Sequence, residues 1–336
     1  MMTARTIIDR HITWDNHGCL PLRPDDASFL PLLQRYRAAG FDMAVINIGF
    51  GDDGPEQHLR MAAHFRHWLA ARPEDYSLVD TADDIVRARA EGKLAIAFDM
   101  EGANGIADQP SLLQLYYDLG VRWMLMAYNR SNRVGSGCMD EEDGGLTAFG
   151  RQVVDEMERV GMVACCSHTG RRTAIDLLSR ATRPVLFSHS NASAIQQHPR
   201  NIDDGMIRAC AATGGVVGIN GIGDFLGTPD CDLEDAFVRH LDHMVQLVGP
   251  HHVGLAFDHV FDVAELEAYI ATQSALFPPG TMAPVFRQLS FEAIEGIVER
   301  LLKLGYSDDD IAAILGGNLM RVARQVWKPR RGAASA

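Results

Sequence analysis

Five short apolar runs, each leading to a residue that can bind a metal or move a proton, constrain this chain more than any other feature. They are Ile7–His11, Leu94–Phe98 before Glu101, Met162–Cys166 before His168, Pro184–Phe187 before His189, and Val253–Phe257 before Asp258. Runs this short, rich in β-branched and aromatic residues and without a helical period, read as buried parallel strands. In a parallel α/β fold, strand ends of one polarity open on the same side, so ligands far apart in sequence can meet there. The pattern predicts one pocket holding His11, Glu101, His168, His189 and Asp258.

Between these runs the chain alternates. Helical patterns cover 28–39, 56–71, 81–91, 111–119, 149–160, 171–179, 203–212, 233–248, 291–304 and 308–315. Further strands are expected at 42–48, 121–126 and 216–219, and a polar, glycine-bearing loop at 128–145. Eight strands alternating with helices favour a closed (β/α)8 TIM barrel, an α/β fold of the metallo-dependent hydrolase type, over an open doubly wound sheet. No GxGxxG follows the first strand and no GxxxxGK[ST] occurs, which argues against nucleotide sites. The expected organisation is one barrel domain over 1–326 with C-terminal helices, then a disordered tail over 327–336.

Composition narrows the class. With 336 residues, 47% hydrophobic and 22% charged, the chain can bury a large core. A formal net charge of −13 argues against a nucleic-acid partner. No stretch is long and apolar enough for a signal peptide or a membrane span, so a cytoplasmic protein with no membrane partner is expected. The six cysteines include no CxxC pair. Cys165 and Cys166 fall in a buried strand, point to opposite faces and read as core thiols, and Trp123, Met124 and Met126 read as barrel core. His17, His198, His251 and His252 read as surface residues in loops or before a strand, and His240 and His243 as a solvated helix face.

The pocket residues have the chemistry of a hydrolytic metal centre. Neutral imidazole and carboxylate oxygen hold Zn2+, and a catalytic site leaves one position open for water. Two metals roughly 3.5 to 4 Å apart can share a carboxylate and a hydroxide that acts as nucleophile. Glu101 suits the bridge, His168 and His189 one metal and His11 the other, while Asp258 can hold the water and pass its proton to the leaving amine. A lone histidine at a strand end is more often a hydrogen-bonded structural residue. Five suitable residues at one rim shift that balance, because buried charges there need pairing or a metal.

The segments Ser167-His168, Ser188–Asn191, His198–Asn201, Glu101-Gly102, Leu119–Arg122, Asp258 and Gly316–Arg321 resemble the membrane (renal) dipeptidase family of the amidohydrolase superfamily, from Ile7 to about Val322. The resemblance implies a two-zinc barrel cleaving dipeptides, some bacterial members favouring a D-residue on the carboxyl side, and a possible homodimer. By position it implies Glu101 as the bridging carboxylate, His168 and His189 as ligands of one zinc, His11 as a ligand of the other and Asp258 as the catalytic aspartate. Arg200 matches the arginine that grips the substrate's terminal carboxylate, for which a two-donor fork is suited, with Asn201 beside it in the substrate site.

Two departures stand out. The family's first strand carries His-x-Asp, where this sequence reads His11-Ile12-Thr13, and a neutral hydroxyl is a poor zinc ligand. Asp15 shares the face but lies about 7 Å further along an extended strand. Tyr128 stands where the dipeptidases commonly carry a histidine; a phenol can still donate to an oxyanion. The expected function is hydrolysis of a dipeptide or similar small amide with a free carboxylate, by a metal-bound hydroxide and one or two Zn2+. The alternatives are a metalloenzyme of the same barrel acting on another small carboxylated metabolite, such as a lactone, or a non-catalytic homologue with a degraded first metal site. Metal content separates the three.

Overall fold

Among the described residues ten strands make one sheet: β1 (Trp14–Cys19), β2 (Met43–Phe50), β3 (Tyr76–Leu78), β4 (Leu94–Glu101), β5 (Val121–Leu125), β6 (Val163–Cys165), β7 (Leu186–Phe187), β8 (Val216–Ile219), β9 (Val253–Leu255) and β10 (His259–Val260). The structure is a computed structural model describing residues 2–227 and 230–330. The strand order is β10-β1-β2-β4-β5-β6-β7-β8-β9, with β3 beside β4, and the pairings are parallel. β9 and β10 are two pieces of one strand: the first pairs with β8 and the second with β1, so the ring closes through it. Across the break, the Ala256 amide donates to the Ile219 carbonyl and the Asp258 amide to that of His17, each at 3.1 Å. This is the expected (β/α)8 barrel.

The two-residue strand period sorts side chains into two layers. On β4, Leu94, Ile96, Phe98 and Met100 pack outward against the helices, while Ala95 and Ala97 face the barrel interior with Trp14, Met43, Val45, Trp123, Val163, Cys165, Leu186 and Val216. The helix Asn318–Val326 closes this interior from below with Leu319, Met320, Val322, Ala323 and Val326. Continuing the β4 alternation upward, Asp99 and Glu101 follow Ala97 on the inner face. The barrel therefore has an apolar floor and a polar top, and the top coincides with the carboxyl ends of the strands.

Several sequence expectations need correction. The segment 7–11 is not a strand: Ala4–Arg10 is a helix capped by Thr3, whose hydroxyl accepts from the Thr6 amide, and Ile7 and Ile8 are its buried face. The first strand starts at Trp14, and His11 is the C-cap of that helix, at the opposite end of the strand from Cys19. β3 and the helix Val263–Thr272 lie where no element was expected. The tail expected from 327 is anchored over its first four residues. Trp327 packs tilted against Trp14 with ring centroids 5.6 Å apart, the Lys328 amide donates to the Tyr117 hydroxyl, and Arg330 pairs with Asp80. Residues 331–336 of the expected tail lie outside the described residues. Among the described residues, no helix is long and apolar enough to cross a membrane.

Candidate metal centre

Each strand end delivers one piece of the site. β1 does so through a bulge: Asp15 pairs with Ala44 but Gly18 with Ile46, so β1 spends one residue more than β2. Such an extra residue re-aims side chains. It turns His17 inward although Trp14, an odd number of residues away, also faces the interior. Gly18 faces out, where a Cβ would stand 2.4 Å from the Tyr36 hydroxyl, and Cys19 follows on the inner side beside His17. A second bulge, on β2 between Asn47 and Phe50, sets Phe50 opposite Glu101.

Three imidazoles point their Nε2 atoms at one carboxylate. The Glu101 Oε1 lies 3.5 Å from His17 Nε2, 3.3 Å from His168 Nε2 and 3.2 Å from His189 Nε2. Each ring is held from behind through Nδ1: His17 by Asp99 at 3.0 Å, His168 by the Asn129 side-chain oxygen at 2.7 Å, and His189 by the Ser188 hydroxyl at 2.9 Å. Fixing Nδ1 leaves Nε2 free for a ligand, the usual support of metal-binding histidines. Asp258 Oδ1 lies 3.4 Å from His17 Nε2 and 3.3 Å from Cys19 Sγ, and Asn220 donates to its other oxygen at 2.8 Å.

His168, Asp258 and Asn129 all adopt left-handed backbone, with φ of 59°, 54° and 57°. Non-glycine residues hold that conformation at a cost of order 1–3 kcal/mol each, and such outliers cluster where side-chain aim matters. Here two of the three aim at Glu101 or His17 and the third anchors one of them.

The electrostatics ask for a cation. Burial pushes Glu101 up to about 8, against the field of His17 and helped by Asp258. Burial opposes protonation of His17, yet Cys19, Asp99 and Glu101 together raise it well above the ordinary imidazole value. Burial and then the charges of Arg200 and His17 hold His168 far below that value, and burial with His17 does the same to His189, so both are neutral. Burial would raise Asp258, but His189, His17 and Arg200 keep its carboxyl well below the usual range. Uncompensated buried ions cost several kcal/mol each. Neutral imidazoles beside carboxylates that compete for protons are a donor set that a divalent metal satisfies, so the residues fit one. His17, Glu101 and His189 offer atoms within 4.8 Å of one another, and so do His17, Cys19 and Asp258.

Glu101, His168, His189 and Asp258 thus meet as the sequence suggested, whereas His11 does not join them. His17, read from sequence as a surface residue, is fully buried and takes the place expected for His11. Thr13 is spent on the entry to β1, its amide bonded to Asp42, and Asp15 is bonded to the Tyr36 hydroxyl and the Phe257 amide. The His-x-Asp spacing therefore falls on His17-Gly18-Cys19, with a thiol in the acid's place. His240 is likewise no solvated residue: its ring is buried between the Ala192 amide and the Leu226 carbonyl.

A cavity of about 280 Å³ opens above the cluster. Tyr128 lines it and stacks on His168 with centroids 4.2 Å apart, its phenol kept neutral by burial and by Glu101 and Asp258. Arg200 reaches the same cavity, braced by the His189 carbonyl at 3.3 Å and lying over Phe225, with its buried Nε unbonded. Asn201 sits behind it, its amide given to the Gln196 and Phe225 carbonyls, which fixes the loop that carries Arg200. Leu20, Phe50, Phe225, Tyr269 and Phe277 make the walls largely apolar.

Residues 35–269 match the sequence model of the family described as membrane dipeptidase, peptidase family M19. A curated relative, an uncharacterized dipeptidase of Schizosaccharomyces pombe, is 36% identical over 192 residues, which is 55% of this chain and 46% of that protein. The matched part of this chain thus spans about half that relative's length. Among solved structures, an amidohydrolase from Pseudomonas aeruginosa superposes with a TM-score of 0.89 at 24% identity, covering 97% of this chain and 99% of the other. A metallopeptidase from Rhodobacter sphaeroides, solved with a phosphinate mimic of the dipeptide L-Ala-D-Ala, gives 0.75 at 21% identity over 94% of this chain and all of that one. These two are likenesses of fold.

Proposed function

This chain belongs to the membrane dipeptidase family, and from that premise we propose that it is a metal-dependent hydrolase of dipeptides or similar small amides bearing a free carboxylate. The observation that carries the reading is the convergence of three back-anchored imidazoles on the Glu101 carboxylate. His17 and Glu101 would hold one ion, and His168, His189 and the shared Glu101 a second. Bound there, zinc or a similar ion would polarise the scissile carbonyl and make water more acidic.

The protein's own groups do the rest. Arg200 takes the substrate carboxylate through its fork and so fixes the amide over the cluster. Asp258, ionised at neutral pH, accepts a proton from the attacking water as its oxygen bonds the carbonyl carbon. When the C–N bond breaks, Asp258 returns that proton to the departing nitrogen. Tyr128, a neutral phenol at the cavity wall, donates to the oxygen on which charge develops. The apolar walls favour substrates with bulky apolar side chains.

Metal analysis of the purified protein together with a screen of L,L and L,D dipeptides, N-acyl amino acids and lactones tests this. We expect bound divalent metal and turnover of carboxylate-bearing amides, abolished in Glu101→Gln with loss of metal. Metal-free protein, or turnover untouched by Glu101→Gln, would overturn it.

A further inference from the structure

We propose that Cys19 is a thiolate ligand of the metal centre, so that the His17 end of the site is a nitrogen, sulfur and oxygen set that selects thiophilic zinc or cadmium over manganese or magnesium. The inference rests on the reading of the cluster as a metal centre. Cys19 ends β1, lines the main cavity, and places Sγ 3.3 Å from both His17 Nε2 and Asp258 Oδ1. Those three atoms lie within 4.8 Å of one another and Glu101 Oε1 lies 3.5 Å from His17 Nε2, so an ion held by His17 and Glu101 would have the sulfur in reach while Asp258 stays beside it as the base. The His17 ring cannot turn away, because Asp99 holds Nδ1, so the nitrogen facing Cys19 is the one left for a metal.

The backbone fixes Cys19 there. The β1 bulge turns His17 inward, Gly18 must be small because Tyr36 lies behind it, and the next residue then emerges beside the imidazole. The buried thiols are differently placed: Cys165 bonds Ser188 under the cluster, and Cys166 and Cys210 pack in the outer apolar layer. A neutral thiol there gains little from its neighbours, since sulfur is a weak donor and acceptor. As a thiolate, its proton released to solvent when the S–metal bond forms, it adds a soft, anionic donor to two harder ones.

The test is to strip the protein with chelator and titrate it with cobalt(II) or cadmium(II), following the thiolate-to-metal charge-transfer absorption. The band should grow with bound metal in the parent and be missing from Cys19→Ser at equal metal content. Cys19→Asp should bind without the band and shift the preference for cadmium over manganese by about tenfold or more toward manganese. Should Cys19→Ser misfold, the parent suffices: zinc should protect Cys19 from alkylation by iodoacetamide, read by peptide mass mapping. Bound metal with no sulfur band, or alkylation of Cys19 at equal rates with and without zinc, overturns this proposal alone. Failure to bind any divalent metal overturns it together with the functional reading.

Discussion

Asp258 shows what one residue must satisfy in this site. It stands in left-handed backbone at the break between β9 and β10, where a regular strand would have sent its side chain along the wall. The left-handed turn sends the carboxylate toward His17 and Cys19, and Asn220 then fixes which oxygen faces them. Asp258→Asn keeps that shape and removes the base, so we expect metal to be retained and kcat to fall on the order of 100-fold or more. Unchanged kcat at full metal content would exclude the proton-transfer role. Arg200 acts at the other end of the substrate. Its guanidinium is already braced by a carbonyl and an aromatic face, so Arg200→Met should leave the cluster intact and raise KM for carboxylate-bearing substrates by roughly 10- to 100-fold, from the loss of a charge-assisted pair. Neutral amides should be unaffected, and an equal effect on both would argue against a carboxylate clamp.

At the scale of elements, β1 combines the functional and the illegible. Its sequence, Trp14-Asp-Asn-His-Gly-Cys19, has no apolar alternation because its inner face is the metal site and its outer face carries Asp15. Ile7-Ile8 upstream look like a strand but serve a helix, since burial of Ala4, Ile7 and Ile8 follows the three-and-four spacing. β4 was legible for the opposite reason: four outward apolar residues and two inward alanines mark it before Asp99 and Glu101 are reached. The same holds for the strands leading to His168, His189 and Asp258. The helix Val263–Thr272 has no buried residue at all, yet it brings Leu266, Tyr269 and Ile270 to the cavity wall, so it carried no core signal to read.

Asp15 also gives β1 a measurable signature. Burial raises its carboxyl to about 7 against the hydrogen bonds from Phe257 and Tyr36. The folded form therefore keeps a proton that the unfolded chain gives up near its ordinary value of 3.8. Stability from this group is full below about pH 4 and declines as pH rises toward 7, by up to about 4 kcal/mol on the linkage relation. Asp15→Asn preserves the acceptor for Phe257 and cannot ionise. Urea melts should show the variant gaining on the parent between pH 5 and pH 8, and parallel profiles would remove Asp15 from the account.

For the molecule as a whole, the barrel divides into an apolar floor that drives folding and a charged top that opposes it. Floor residues such as Trp14, Trp123 and Val163 are almost fully buried, each worth about 1.5 to 3 kcal/mol by transfer from water. Above them Asp99, Glu101 and Asp258 crowd three imidazoles, and without a cation the cluster relieves itself by holding protons, on His17 and Glu101 among others. A metal that binds the folded chain alone should then stabilise the whole barrel, by about 4 kcal/mol when present at 1,000 times its Kd. For a chain of 336 residues that is roughly a 6 °C rise in Tm. Chelation should lower Tm by that order and added zinc should restore it. Magnesium at equal concentration is the control, because a chain of net charge −13 also attracts divalent ions to its surface without a specific site. Zinc should outdo magnesium in the parent and lose that advantage in His189→Ala, where the cluster lacks a ligand but the surface charge is unchanged. Equal shifts from both ions in both proteins would mean that the cluster holds no metal and that the charged top is balanced by protons alone.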